Sequence, residues 1–210
     1  MLSATRHMLT AHLLDLPRVL DRYAAADPAF VGEALAWLSS VEQTLLKLRR
    51  PLAGQVASAR GRILGAKDGY RPNGAVSSGT TPRQAQRAVT AAALTETDNA
   101  LRDIITGIDT RLDGYREKIA QLLAVASHAR PLPTPGDQPR DPWLRSLWSD
   151  LATTPDTAGM HAYLKAALAP GDALDLLGEL VDNLLGQTDD TPLPGTRAAG
   201  AAPEGGRITR

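Results

Sequence analysis

The chain has 210 residues, enough for one domain or one domain with a small appendage. Hydrophobic residues make up 43% of it and aromatics 4%, with Ala and Leu dominant, which suits helix-on-helix packing and disfavours a β-sandwich. There is no Cys, so disulfides, Cys-ligated zinc and thiol catalysis are excluded, and the formal net charge is zero.

That zero hides a strong asymmetry. From Lys47 to Thr90 there are nine bases against one acid, a net of +8; from Asp141 to Asp190 there are nine acids against two bases, a net of −7. No run of about 18 apolar residues occurs, so no membrane span is expected. Arg6, His7, Asp15 and Arg18 interrupt the first twenty residues, which argues against a secretory leader. A cytoplasmic location is the expectation.

In chain order, Ser3 is a candidate cap for a first helix with Met8, Leu9, Leu13 and Leu16 at helical spacing. Pro17 predicts a kink or a break, with Val19, Leu20 and Tyr23 continuing the pattern. Asp27-Pro28 reads as a helix start. A three-four repeat follows through Val31, Ala34, Leu38, Val41, Leu45, Leu48 and Leu52, a coiled-coil-like seam. Pro51 should kink or split this arm after Arg50, and Gly54, Gly61 and Gly65 each weaken the remainder by about 1 kcal/mol relative to Ala.

Residues 69–81 read as a turn, because Gly, Pro, Asn and Ser cluster there. Thr81-Pro82 restarts a helix. Its seam is the most regular in the chain: Leu94, Thr97, Leu101, Ile104, Ile108, Leu112, Tyr115, Ile119, Leu122 and Ala126. The nearest partner for such a stripe is the arm before it. The expected fold is therefore all-α: a long antiparallel helical hairpin with an N-terminal helix over 1–128. A Pro-rich linker over 129–141 then leads to a small helical unit over 142–186 and a disordered tail over 187–210. Within the small unit, Asp141-Pro142, Thr154-Pro155 and Pro170 mark helix starts. Tyr163, Leu164 and Leu168 are expected to face inward.

The candidate functional residues follow from charge. Arg60, Arg62, Lys67, Arg71, Arg83 and Arg87 flank the turn, so a hairpin would gather them at one end, where phosphates could release counterions against them. Only Tyr70 is at hand for base stacking, so sequence readout is not expected. The same cluster could instead dock on an acidic protein surface. Trp143 and Trp148 either pin the last helices to the rest or form an interface with another subunit, as aromatic anchors do.

Other chemistry finds little support. His7, His12, His128 and His161 lack metal-ligand company, and no cofactor or metal is expected. The 61–67 stretch, GRILGAK, has neither the spacing nor the preceding strand of a phosphate loop. Arg6 and His12 have five residues between them, a spacing that resembles the Arg–His pair of HEPN-type ribonucleases on helical bundles, although His7 stands where a different polar residue often follows the Arg. That resemblance covers one pair and implies a helical nuclease or toxin. The leading expectation is a non-enzymatic interaction or scaffold subunit, with a protein partner or a second copy, whose basic end contacts nucleic acid or another polyanion. A protein-binding adaptor is second and the HEPN-like enzyme third.

Overall fold

The structure, a computed structural model, describes residues 1–68, 81–133 and 136–189. Among them are seven helices and no strand: α1 (Leu2–Ala24), α2 (Phe30–Lys47), α3 (Leu52–Lys67), α4 (Pro82–Ala129), α5 (Arg140–Thr153), α6 (Pro155–Ala167) and α7 (Pro170–Asp189). The protein is all-α. The expected turn at 69–80 and most of the tail (190–210) lie outside the described residues, while α7 carries the helix through Asp189.

The arm expected from Asp27 to Asp68 consists of two helices folded back on each other. α2 ends at Lys47, and the chain reverses over 48–51. There the N–H of Arg50 reaches the carbonyl of Leu45 (2.9 Å) and that of Arg49 reaches Leu46 (3.0 Å). This pair of bonds closes the helix with Arg49 in the left-handed region, φ 52°. Pro51 then makes the break permanent, because it has no N–H to continue the ladder. The same device ends α1: Asp27 N–H to Arg22 (3.0 Å), Ala26 N–H to Tyr23 (3.1 Å), and Ala26 at φ 55°. Asp27 then launches α2 by accepting the Ala29 N–H at 2.8 Å, although the regular helix begins only at Phe30.

With α3 and α4 side by side as well, α1–α4 form an up-down-up-down bundle. α1 meets α2 through Trp37 Nε1, which donates to the His12 carbonyl (3.0 Å), and through the His12 Nε2–Thr44 Oγ1 contact (2.8 Å). α3 meets α4 where Gln86 Nε2 donates to the Ile63 carbonyl at 3.2 Å. The core is aliphatic: Leu9 and Val19 from α1, Phe30, Leu38, Val41 and Leu45 from α2, Val56 and Ile63 from α3, Leu94 and Leu101 from α4, all buried. Pro17 lies inside α1 without splitting it; it sits on the exposed face, where water can meet the carbonyl it leaves unpaired.

α4 has 48 residues, about 72 Å at the usual rise. Thr81 caps it through a reciprocal pair with Gln84: Thr81 Oγ1 accepts the Gln84 N–H (3.3 Å) and Gln84 Oε1 accepts the Thr81 N–H (3.1 Å). Every position of its predicted seam is buried or half-buried. The seam changes partners midway. Leu94 and Leu101 pack with α1–α3, whereas Ile108, Leu112, Ile119, Leu122 and Ala126 pack with α5, α6 and α7; Ile104 touches both cores. Leu144, Leu147, Leu151, Leu164, Leu168, Leu177 and Val181 complete the second core. Tyr163, expected inward, is 52% exposed and lies under Lys118 Nζ (5.9 Å from the ring centre).

Ser3 does not cap α1 with its side chain. The cap comes from α7: the buried Asp172 accepts the Leu2 N–H at 2.6 Å and the Ser3 N–H at 3.0 Å. α7 runs parallel to α4, its Glu179 beside Arg116 and its Leu180 and Leu184 beside Ala120–Ser127. α1 runs antiparallel to α4, its Arg6 beside Asp109 and its Tyr23 beside Arg87. Two helix N-termini thus meet head to head, each the positive end of its dipole, with one carboxylate between them.

Candidate nucleic-acid interface

The six basic residues singled out from the sequence fall into three groups. Arg60 and Arg62, on α3, are held by carboxylates: Arg60 Nη1 lies 2.5 Å from Glu42 Oε2, and Arg62 Nη2 lies 2.5 Å from Glu96 Oε2. Arg87 faces the other side of α4. Its Nη1 donates to the Asp27 carbonyl (2.9 Å), its Nη2 donates to the Tyr23 carbonyl (3.0 Å), and its guanidinium lies over the Tyr23 and Phe30 rings at 5.3 and 5.2 Å. It clamps the C-terminal turn of α1 to α4. Lys67 and Arg83 are exposed and have no ion pair or hydrogen bond among the described residues. They end α3 and begin α4, and the Gln86–Ile63 bond fixes those two helix ends side by side. Arg71 lies outside the described residues.

Folding back at 48–51 sends the rest of the basic segment elsewhere. Lys47, Arg49 and Arg50 sit at the α2–α3 reversal, the opposite end of α3 from Lys67. Lys47 and Arg49 are exposed, Arg50 is half-buried, and none of them pairs with an acid among the described residues. α3 itself, 52–67, contains no acid.

A second polar surface was not apparent from the sequence. A cleft of about 920 Å³ lies between the start of α1, the middle of α4 and α7, lined by Arg6, His7, Asp109, Asp113, Arg116, Asp175 and Glu179 among others. Its arginines are committed. Arg6 Nε lies 2.5 Å from Asp109 Oδ1; Arg116 holds Asp113 and, at 3.0 Å, Glu179. The bond to Asp109 and its charge push the Arg6 guanidinium above its ordinary pKa. Burial, with Asp172 and Glu179 nearby, pushes the Asp175 carboxyl up. The cleft joins α1 and α7 to α4 through ion pairs, and among the described residues that line it no arginine or lysine is left free to receive a ligand anion. The residues that form it are spread across the chain from Arg6 to Glu179, so spacing carried no trace of it.

Arg6 and His12 do not converge. Arg6 turns to α4, and His12 turns to Thr44 of α2, where burial pulls its imidazole below the ordinary value. Trp143 is buried in the second core, and Trp148 is half-buried with its ring 4.5 Å from that of His161. Among the described residues no group of three or more His, Asp or Glu could hold a metal ion, and no helix is long and apolar enough to cross a membrane. The chain matches no protein-family model, no curated protein and no solved structure.

Proposed function

We propose that the protein is a non-enzymatic interaction or scaffold subunit, working in the cytoplasm within a larger assembly or as copies of itself, whose basic surface contacts nucleic acid or another polyanion. One observation carries this reading. Lys67 and Arg83 stand exposed and unpaired among the described residues at adjoining helix ends, in a segment with nine bases and one acid. Phosphate binding needs no pocket, only accessible cations on a rigid frame, and two capped helix ends supply that frame. Titration of labelled DNA and RNA at two salt concentrations tests it. Affinity should fall steeply with salt, and Lys67→Glu/Arg83→Glu should reduce the slope of log affinity against log salt by roughly two units. No binding at low salt rejects the reading.

An adaptor role stands second, favoured by the carboxylates that Arg60 and Arg62 already hold. The same chemistry would accept an acidic protein surface, and the acidic segment 141–190 of a second copy is the first such surface to test. Trp148, half-buried beside His161, is the residue through which an added subunit would reach the second core.

A further inference from the structure

We infer that the outer face of α3 is a track for a nucleic-acid phosphate backbone, held at one end by Lys47, Arg49 and Arg50 and at the other by Lys67 and Arg83. This deepens the polyanion reading above and rests on it. The two groups of cations sit at opposite ends of a 16-residue helix, about 24 Å apart at the helical rise. A compact anion can satisfy only one of them. A polymer with charges at regular intervals satisfies both, and about 24 Å corresponds to roughly seven base pairs of duplex.

The face between the ends suits close approach. Gly54, Ala57, Ser58 and Gly61 are exposed along it, small residues that let a rod approach closely, and the half-exposed Leu64 stands beyond them toward Lys67. A Cβ added at Gly54 or Gly61 would meet nothing within 4 Å, so the surface beside them is open. A shallow trough of about 400 Å³ runs between this face and α4, lined by Gln55, Ser58 and Arg62 among others, and amides and hydroxyls are typical backbone-contacting groups. Glu96, the acid at its edge, is neutralised by Arg62. The face carries no aromatic residue for stacking unpaired bases, which points to a duplex rather than a single strand.

The test uses the full chain and fluorescein-labelled DNA duplexes of about six and about fourteen base pairs, the shorter closed by a hairpin. The wild type should bind the longer duplex at least about tenfold tighter, because only it can engage both ends. Lys47→Ala/Arg49→Gly/Arg50→Ala should abolish that length advantage and reduce the salt slope by roughly two to three units; glycine is native to the backbone angle at 49, so the turn survives. Gly54→Glu/Gly61→Glu should weaken binding to the longer duplex about tenfold while leaving helicity intact, since both side chains enter open space. If the wild type binds and Lys67→Glu/Arg83→Glu abolishes binding, but the other two variants behave as wild type, the track is refuted and the basic helix end stands alone. If the wild type binds neither duplex at low salt, the track falls together with the polyanion reading.

Discussion

Ala26 and Arg49 hold left-handed backbone at the ends of α1 and α2, where the added Cβ costs about 1–2 kcal/mol relative to glycine. Ala26→Gly should therefore raise the free energy of unfolding in urea by about 0.5–1 kcal/mol, reduced from the full relief by glycine's greater freedom in the unfolded chain. A fall in stability would show that the turn is not closed as described. His161 offers a test in pH. It is buried, its Nε2 has no hydrogen-bond partner, and Trp148 packs against its ring. Burial, then the nearby Lys165, pulls its pKa down in the folded protein. The unfolded chain therefore binds a proton more readily, and stability should decline as pH falls below about 6.5. His161→Leu should flatten that decline between neutral pH and pH 5; an unchanged profile would clear His161 of responsibility. These residues also mark where the sequence was opaque. A glycine at 26 or 49 would have announced a helix end, and neither position has one. Arg87 looked like a member of a basic surface because its partners, the Tyr23 and Asp27 carbonyls, lie 64 and 60 positions away.

At the scale of elements, the seam of α4 was fully legible, because a three-four repeat needs only the local helical period. Its partners were not. Periodicity states that a face is buried and is silent about what buries it, so one continuous stripe concealed a change from α1–α3 to α5–α7 at Ile104. Pro51 likewise signalled a break without giving its angle, and the angle separates a long hairpin arm from a folded-back pair. Ile108, 3% exposed, sits just past the changeover. Ile108→Asp should destabilise the protein by several kcal/mol, because it places a charge in an aliphatic core; melting like the wild type would refute the assignment. Asp172 is the other decisive element contact. Burial opposes its charge, but the Leu2 and Ser3 N–H groups, the Ser3 hydroxyl and the Met1 amine together outweigh that and hold its pKa below the ordinary value. Its stabilising contribution is present above the ordinary carboxylate range and is lost as pH falls through the lowered value. Asp172→Ala should cost about 1–2 kcal/mol and speed amide exchange at the start of α1; exchange at the wild-type rate there would dismiss the cap.

For the whole molecule, one helix threads two cores. Trp37 reports on the first, Trp143 and Trp148 on the second. If α4 couples them, single-tryptophan variants that retain Trp37 or Trp143 should show coincident urea transitions. Separate midpoints would mean that the shared helix can melt on one side of Ile104 alone. The basic surface obeys the same division. All of the cations proposed to bind lie on helices of the first core or the turn between them, while the acid-rich segment belongs to the second, and α4 is the helix the two share.

The carboxylate shared by α1 and α7 also has a meaning in time. Leu2 and Ser3 leave the ribosome well ahead of the side chain that satisfies their N–H groups, which follows 170 and 169 positions later. At roughly 5–20 residues per second that interval is on the order of 10–30 seconds. Through it the first bundle can assemble, but the leading turn of α1 has only water to bond. α7 therefore closes α1 only after the six helices before it have emerged.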